Sequence, residues 1–250
     1  MNSKIQADSR ELLYSDATLE QRAMEHPQIF GNAHSLLLSL SEQAKLAEVA
    51  FLQRLIEIIV AASALVITSP VMLWIALLIW RGTPGKVLFF QERIGASQKP
   101  FRFVKFRTLY ADARARFPHL YAYRYTPEDL QHLRFKVEND PRVTPQGVWM
   151  RKSTLDELPN FWNVLTGDMA LVGPRPEIPE MLPYYSDEML LKFTVRPGIT
   201  GMAQVAGRGR LGFHETVELD VQYVKNRSMF LDLKILFTTV VKIITRDGAF

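Results

Sequence analysis

A chain of 250 residues, 48% hydrophobic and 22% charged, can bury a substantial core, and that composition excludes disorder throughout. The absence of cysteine excludes disulfides and thiolate metal sites, and scattered histidines without a His-x-x-x-His pair argue against a zinc enzyme. The net charge of +4 hides an asymmetry: residues 1–57 carry five Lys/Arg against eight Asp/Glu, whereas residues 81–250 carry 25 against 18, so an anionic partner is expected there.

Residues 1–33 are polar and weakly patterned, and no charged segment leads into an apolar core with a cleavage site, so no signal peptide is expected. From Leu36 to Arg54, apolar residues interleave with Glu42, Lys45, Glu48 and Gln53, which predicts an amphipathic helix. Ile58 to Trp80 is then an uncharged run of 23 residues. As a helix it is about 35 Å long, enough to cross a hydrocarbon core of about 30 Å. Ser69-Pro70 lies in its middle. Proline removes a backbone hydrogen bond and bends a helix, and the serine hydroxyl can serve the freed carbonyl. Cations flank both ends, Lys45 and Arg54 before, Arg81, Lys86, Arg93 and Lys99 after. Two topologies are open: a straight span, or a helix that breaks at Ser69-Pro70 and returns to the same face.

A Gly-Thr-Pro-Gly turn follows, then a strand at Lys86–Phe90, Gln91-Glu-Arg-Ile-Gly95, and a second strand at Phe101–Arg107. This is a cation-rich hairpin, either solvated or phosphate-binding. Arg102, Lys105 and Arg107 share no single strict face of the second strand. Thr126-Pro127-Glu128-Asp129 predicts a capped helix start, and Asn139-Asp140-Pro141 a turn.

The central stretch runs from Arg151 to Leu165: two cations, then Asp156-Glu157, then an apolar run that begins with Pro159. Proline fits only where no intrahelical donor is needed, so the helix is expected to start near Asp156, with Asp156 as N-cap. At a helix start the carboxylates are favoured in ionised form and need no raised pKa. Thr154-x-x-Glu157 also matches a capping box, so the same residues read as a structural cap or as a chemical pair. Gly167-Asp168 ends the helix. Arg175 then sits between Pro174 and Pro176, a cation with little backbone freedom left to lose on binding phosphate, or a surface turn. Gly207, Gly209 and Gly212 spell G-x-G-x-x-G, but the intervening arginines and the missing βαβ frame reject a dinucleotide fingerprint. Leu233, Leu236, Phe237, Val240, Val241 and Ile244 form one helical stripe, suited to a core or a membrane surface.

Several of these pieces, in this order, resemble the bacterial sugar transferases, the monotopic polyprenyl-phosphate phosphoglycosyl transferases. The matching residues are Ser69-Pro70, Phe90–Gly95, Lys105-Phe-Arg107, Asp140–Thr144, Arg151–Leu165, Gly167–Pro176 and Arg196–Gly201 through Arg208; together they cover about residues 50–250. The resemblance implies transfer of a sugar-1-phosphate from a UDP-sugar to polyprenyl (undecaprenyl) phosphate with release of UMP. That is the first membrane step of a glycoconjugate or exopolysaccharide pathway.

It also implies Mg²⁺ dependence and a covalent intermediate, with Asp156 as nucleophile and Glu157 as the Mg²⁺ ligand. Arg151, Arg175 and Lys105 would hold phosphate, with Arg107, Arg196 and Arg208 as further candidates. Ser69, Pro70, Pro159, Pro174 and Pro176 would shape the backbone. The implied fold is α/β, mostly helical with a small β-hairpin, monotopic, with a re-entrant Ser-Pro-broken helix and amphipathic interfacial helices. Its expected parts are an N-terminal extension (1–49), a re-entrant membrane helix (50–81) and a catalytic domain (82–250) on the cytoplasmic face of the bacterial inner membrane. Membrane lipids are expected partners and nucleic acid is not; a homo-oligomer is compatible. Residues 1–45 and 111–138 match the family weakly.

The chemistry is coherent in its own terms. Attack on a diphosphate must overcome repulsion between anions, so a carboxylate nucleophile needs neighbouring cations. Magnesium commonly takes one or two carboxylates together with substrate phosphates.

Overall fold

A computed structural model describes residues 27–134, 139–207 and 210–245, with side chains from residue 50 onward. The readings made for residues 1–26 and 135–138, and the loop position of Arg208, lie outside the described residues. The chain divides into two compact units between residues 55 and 56.

Helix α1 (Pro27–Gly82) merges the expected amphipathic segment and the uncharged run into one helix, and it continues through Ser69-Pro70. Pro70 has no N–H to offer the carbonyl of Val66, one turn back. The Ser69 hydroxyl takes that place, donating to Val66 O at 2.7 Å, while Thr68 Oγ1 donates to Ala64 O at 2.6 Å. Most of the apolar side chains in this stretch face outward, with Val66, Ile67 and Leu73 each about three-quarters exposed. A soluble protein does not present such a surface to water, and this helix is long and apolar enough to cross a membrane.

The second unit holds the site. Strand β1 (Leu88–Ile94) pairs antiparallel with β2 (Pro100–Phe106), Leu88 opposite Phe106 and Ile94 opposite Pro100. The first strand therefore starts two residues later than expected and runs on through Gln91-Glu-Arg, because pairing with β2 outweighs the polar interruption. After α2 (Ala113–Arg116) comes α3 (Pro127–His132), which forms the predicted capping box: the Thr126 hydroxyl accepts from Asp129 N, and Asp129 accepts from Thr126 N. Helices α4 (Pro145–Ser153) and α5 (Phe161–Thr166) are separated by a 3₁₀ segment, Leu155–Asn160.

A second, parallel pair of strands, β3 (Ala170–Val172) and β4 (Gly198–Thr200), was not legible in the sequence. Three residues are too few to show a period. Here the two backbones come so close that a side chain at Gly198 would collide with Gly173 N and Thr200 O. The chain finishes with α6 (Met202–Ala206), α7 (Phe213–Lys225) and α8 (Met229–Thr245). Helix α8 turns the predicted stripe outward: Leu233, Phe237, Val240, Val241 and Ile244 are exposed, while Ile235 and Asp232 are buried. Its inner face carries Thr239, whose hydroxyl lies 2.7 Å from that of Thr200. An outward apolar stripe on a folded domain suits a membrane surface rather than a core.

Helix α1 meets this domain at both ends of its apolar run. Ala61 packs with Phe103, Val164 and Met169, whereas Ile75 and Ile79 pack with Phe106 and Met150. Glu57 pairs with Arg196 at 2.8 Å, and at the other end Trp74 meets Trp149 edge to face, centroids 5.6 Å apart.

Candidate active site

The local chain direction around the carboxylates is set by Thr154. It adopts φ 58°, ψ 11°, a left-handed conformation that is costly for a β-branched residue, and it terminates α4. The chain then re-enters helical geometry as a tight 3₁₀ turn. Asp156 and Glu157 lie in the first turn of that segment, as expected, but Asp156 is not its N-cap, and Thr154 makes no side-chain cap. The expected single helix start at Asp156 is corrected to a helix, a kink and a 3₁₀ turn. Pro159 is accommodated inside the 3₁₀ segment, and α5 begins only at Phe161. Arg151 and Lys152 belong to the last turn of α4.

Asn163 on α5 docks this segment against β2. Its Oδ1 accepts from Val104 N at 3.1 Å and its Nδ2 donates to Arg102 O at 2.9 Å, so the amide supplies the backbone partners that a third strand would. The pairing register does the rest. Phe101, Phe103 and Lys105 stand opposite Arg93, Gln91 and Phe89, so Lys105 and Arg93 share one face of the hairpin. Lys105 lies over the Phe89 ring and Arg93 over the Phe103 ring.

Asp156 is almost fully buried, whereas Glu157 is half-buried. Burial first, and repulsion from Glu157 second, push the Asp156 carboxyl up to about 6, against the pull of Lys105, Arg151 and Arg175. The expectation of an unraised pKa is thereby corrected: desolvation outweighs both the cations and the helix-start dipole. Burial lowers Lys105 to about 8, opposed by attraction to Asp156. Arg175 reaches Glu157 at 3.4 Å, and this pairing raises its pKa further. Arg151 donates from Nε to Thr108 Oγ1 at 3.1 Å and stands 3.7 Å from Asp140, within the field of Asp156. Asp140 is itself gripped by Arg142, Nε to Oδ1 at 2.8 Å and Nη2 to Oδ2 at 2.9 Å.

The candidate cations thus separate. Lys105, Arg151 and Arg175 converge on the carboxylates. Arg107 is turned away: its Nε donates to Lys86 O at 2.6 Å and its Nη2 to Thr83 O at 3.0 Å, which ties down the loop after α1. Arg196 is held by Glu57 and by Met169 O at 3.3 Å. Arg93 had been quoted only as part of a motif, yet it joins the site, lowered to about 10 by burial and by Arg175. Strand alternation from Lys105 would have found it once the register was known. Asp140 and Glu177 were also missed as partners of the cations, because their roles depend on contacts distant in the chain.

Buried paired carboxylates ringed by cations, in a domain with outward apolar helices, define a membrane-associated protein built to handle phosphate. The chain belongs to the bacterial sugar transferase family, whose model matches residues 48–246. It is 36% identical over 200 residues to the undecaprenyl-phosphate galactose phosphotransferase of Salmonella typhimurium, covering 80% of this chain and 42% of that one. It is also 36% identical over 207 residues to the UDP-glucose:undecaprenyl-phosphate glucose-1-phosphate transferase of Escherichia coli, covering 80% and 41%. With the exopolysaccharide production protein ExoY of Rhizobium meliloti it shares 34% over 200 residues, covering 79% and 88%. The chain therefore spans less than half the length of the first two relatives and most of the third.

Proposed function

We propose that this chain transfers a sugar-1-phosphate from a UDP-sugar to a polyprenyl phosphate and releases UMP. The observation that carries this reading is Asp156 buried beside Glu157 and within the field of Lys105, Arg151 and Arg175. An Asp156 oxygen bonds to the sugar-bearing phosphorus while the bond from that phosphorus to the bridging oxygen breaks. UMP leaves with the bridging oxygen, and an aspartyl phospho-sugar remains. A phosphate oxygen of the lipid then attacks the same phosphorus and frees Asp156. Neither step requires a proton on Asp156, and near neutral pH its carboxyl, with a value of about 6, is mostly ionised. The names of the relatives, which specify undecaprenyl phosphate with galactose or with glucose-1-phosphate, support the substrate classes.

Among the described residues no group of three or more His, Asp or Glu side chains forms a metal cage. Two carboxylates completed by substrate phosphates are nevertheless a common magnesium arrangement, and the mutual repulsion of Asp156 and Glu157 is what a divalent cation relieves. The donor set fits magnesium held by Glu157 together with the diphosphate. When bound, the ion neutralises charge on the diphosphate oxygens. Lys105, Arg151 and Arg175 bind the remaining phosphate charge and keep the phosphorus within reach of Asp156.

The test is UMP release by the full chain in membranes, screened over UDP-sugars with and without polyprenyl phosphate. Turnover that depends on the lipid phosphate is expected for one or more UDP-sugars. Release of UMP and free sugar phosphate without the lipid would indicate a phosphohydrolase, and binding without release a lipid-phosphate module.

The re-entrant topology belongs to the same proposal. A straight helix from Glu57 to Gly82 would be about 37 Å long. Yet Glu57 pairs with Arg196 while Ile79 packs on Phe106 and Met150, so both ends of the run touch one folded domain. That supports a helix dipping into one leaflet of the cytoplasmic membrane, with the catalytic domain at the headgroups of the cytoplasmic face. Single cysteines near residue 30 and near residue 215 are expected to react only with reagent on the cytoplasmic side. Replacing Ser69-Pro70 by Ala-Leu restores the missing backbone donor and should shift the first label, at least partly, outward. Outward labelling near residue 30 in the unmodified chain would replace this topology with a single span.

A further inference from the structure

Behind the cation ring lies a charge pair that the transfer reaction does not use. Lys192, from a 3₁₀ segment (Met189–Thr194), and Asp220, from the middle of α7, approach to 2.9 Å with side chains about 1% exposed. Desolvating two charges this completely commonly costs more than their attraction returns, and an apolar pair would serve folding as well or better. The pair therefore invites a role other than stability.

Its surroundings indicate one. Between Pro174 and Pro176, Arg175 carries the single backbone N–H, since proline has none. The Asp220 carboxylate accepts that N–H, which opposes the upward push of burial on its pKa. Lys192 in turn donates to Tyr185 OH at 3.4 Å, and Tyr185 donates to Glu177 Oε2 at 2.9 Å. Glu177 Oε1 takes the Ile178 N–H at 3.0 Å, and the Glu177 backbone oxygen takes the Ile94 N–H at 2.7 Å, beside Arg93. Arg93 Nη1 closes the circuit on Pro176 O at 3.3 Å. One buried network thus grips residues 175–177 from behind, while the Arg175 guanidinium reaches forward to Glu157.

We infer that Asp220, held by Lys192, is a positioning residue: it fixes the Arg175 peptide so that the guanidinium meets the carboxylates and the diphosphate in one orientation. Prolines restrict φ on either side but leave the peptide plane of Arg175 free to rotate, and a single buried acceptor removes that freedom. The inference rests on the phospho-sugar transfer proposed above, so the unmodified chain is the first control.

Three variants of the full chain in membranes separate positioning from bulk stability. Asp220→Leu with Lys192→Met replaces the pair by apolar side chains and removes the acceptor. It is expected to keep a melting temperature near that of the unmodified protein, yet to lose UMP-release kcat/KM by about tenfold or more. Asp220→Asn with Lys192→Met is also uncharged but keeps an amide oxygen for the Arg175 N–H, and should recover activity to within about threefold. Adding Arg175→Lys to the Leu/Met variant should cost little more, because the arginine is already misplaced. Equal activity in the two double variants, or losses that follow the melting temperature alone, would overturn the inference. If the Leu/Met variant does not fold, hydrogen exchange at the Arg175 amide of the unmodified protein decides: strong protection is required, and fast exchange refutes it. An unmodified chain that releases no UMP with any UDP-sugar fails the transfer reading, whereas exchange at Arg175 still reports on the contact.

Discussion

Asp156→Asn is expected to lower UMP release by about a thousandfold or more while leaving the fold intact. Asparagine matches aspartate in shape and still fits a nearly buried pocket, but its amide is a poor nucleophile toward phosphorus. The loss should therefore fall on kcat, and labelling of the protein by radiolabelled UDP-sugar should vanish with it. A folded Asp156→Asn protein with near-normal turnover would remove Asp156 from this role. The same carboxylate sets a pH dependence. Activity needs Asp156 ionised, and its carboxyl is pushed up to about 6, so kcat/KM should fall as pH drops through that value. On the alkaline side Lys105, lowered to about 8, loses the charge that faces the substrate, so the profile should be bell-shaped. Glu157→Gln removes a like charge and should move the acid limb downward; an upward shift would contradict the assigned repulsion.

Arg175→Lys is the second large effect, expected to reduce kcat/KM by about a hundredfold although the charge is kept. The guanidinium meets Glu157 through both terminal nitrogens, each 3.4 Å from Oε1, and its planar fork suits a phosphate edge. Lysine has a single head and no such geometry. Because Arg175 lies between two prolines and its peptide is gripped by Asp220, the backbone will not move to compensate. Arg107→Lys serves as contrast. Its hydrogen bonds run to Lys86 O and Thr83 O, so that change should lower thermal stability more than it changes substrate affinity. Wild-type affinity and turnover in Arg175→Lys would reduce the Pro-Arg-Pro segment to a structural turn.

Local chemistry explains which features could be read in advance. Thr126-Pro-Glu-Asp forms its capping box because every partner lies within three residues, and Gly167 ends α5 with φ 92°. The uncharged run of α1 and the stripe of α8 were legible because a helical period depends on neighbours only a turn or two away. Which side that α8 stripe would face was not. It faces outward because Ile235, Asp232 and Thr239 on the opposite side find partners in the domain.

The sequence by itself determined the carboxylate pair, the proline-framed Arg175, the serine that answers Pro70, and the helices around them. These depend on residue identity and short spacing, and so survive without coordinates. Only the tertiary structure decided which cations attend the pair. Arg93 and Lys105 share a face through strand register, Arg107 and Arg196 are drawn off to distant partners, and Asp220 meets the Arg175 peptide across 45 residues. It also decided that Asp156 carries a raised pKa, since burial is a property of everything packed around a group. The physical reason is the range of the forces involved: capping and periodicity act along the chain, whereas desolvation and ion pairing act through space between segments that sequence order keeps apart.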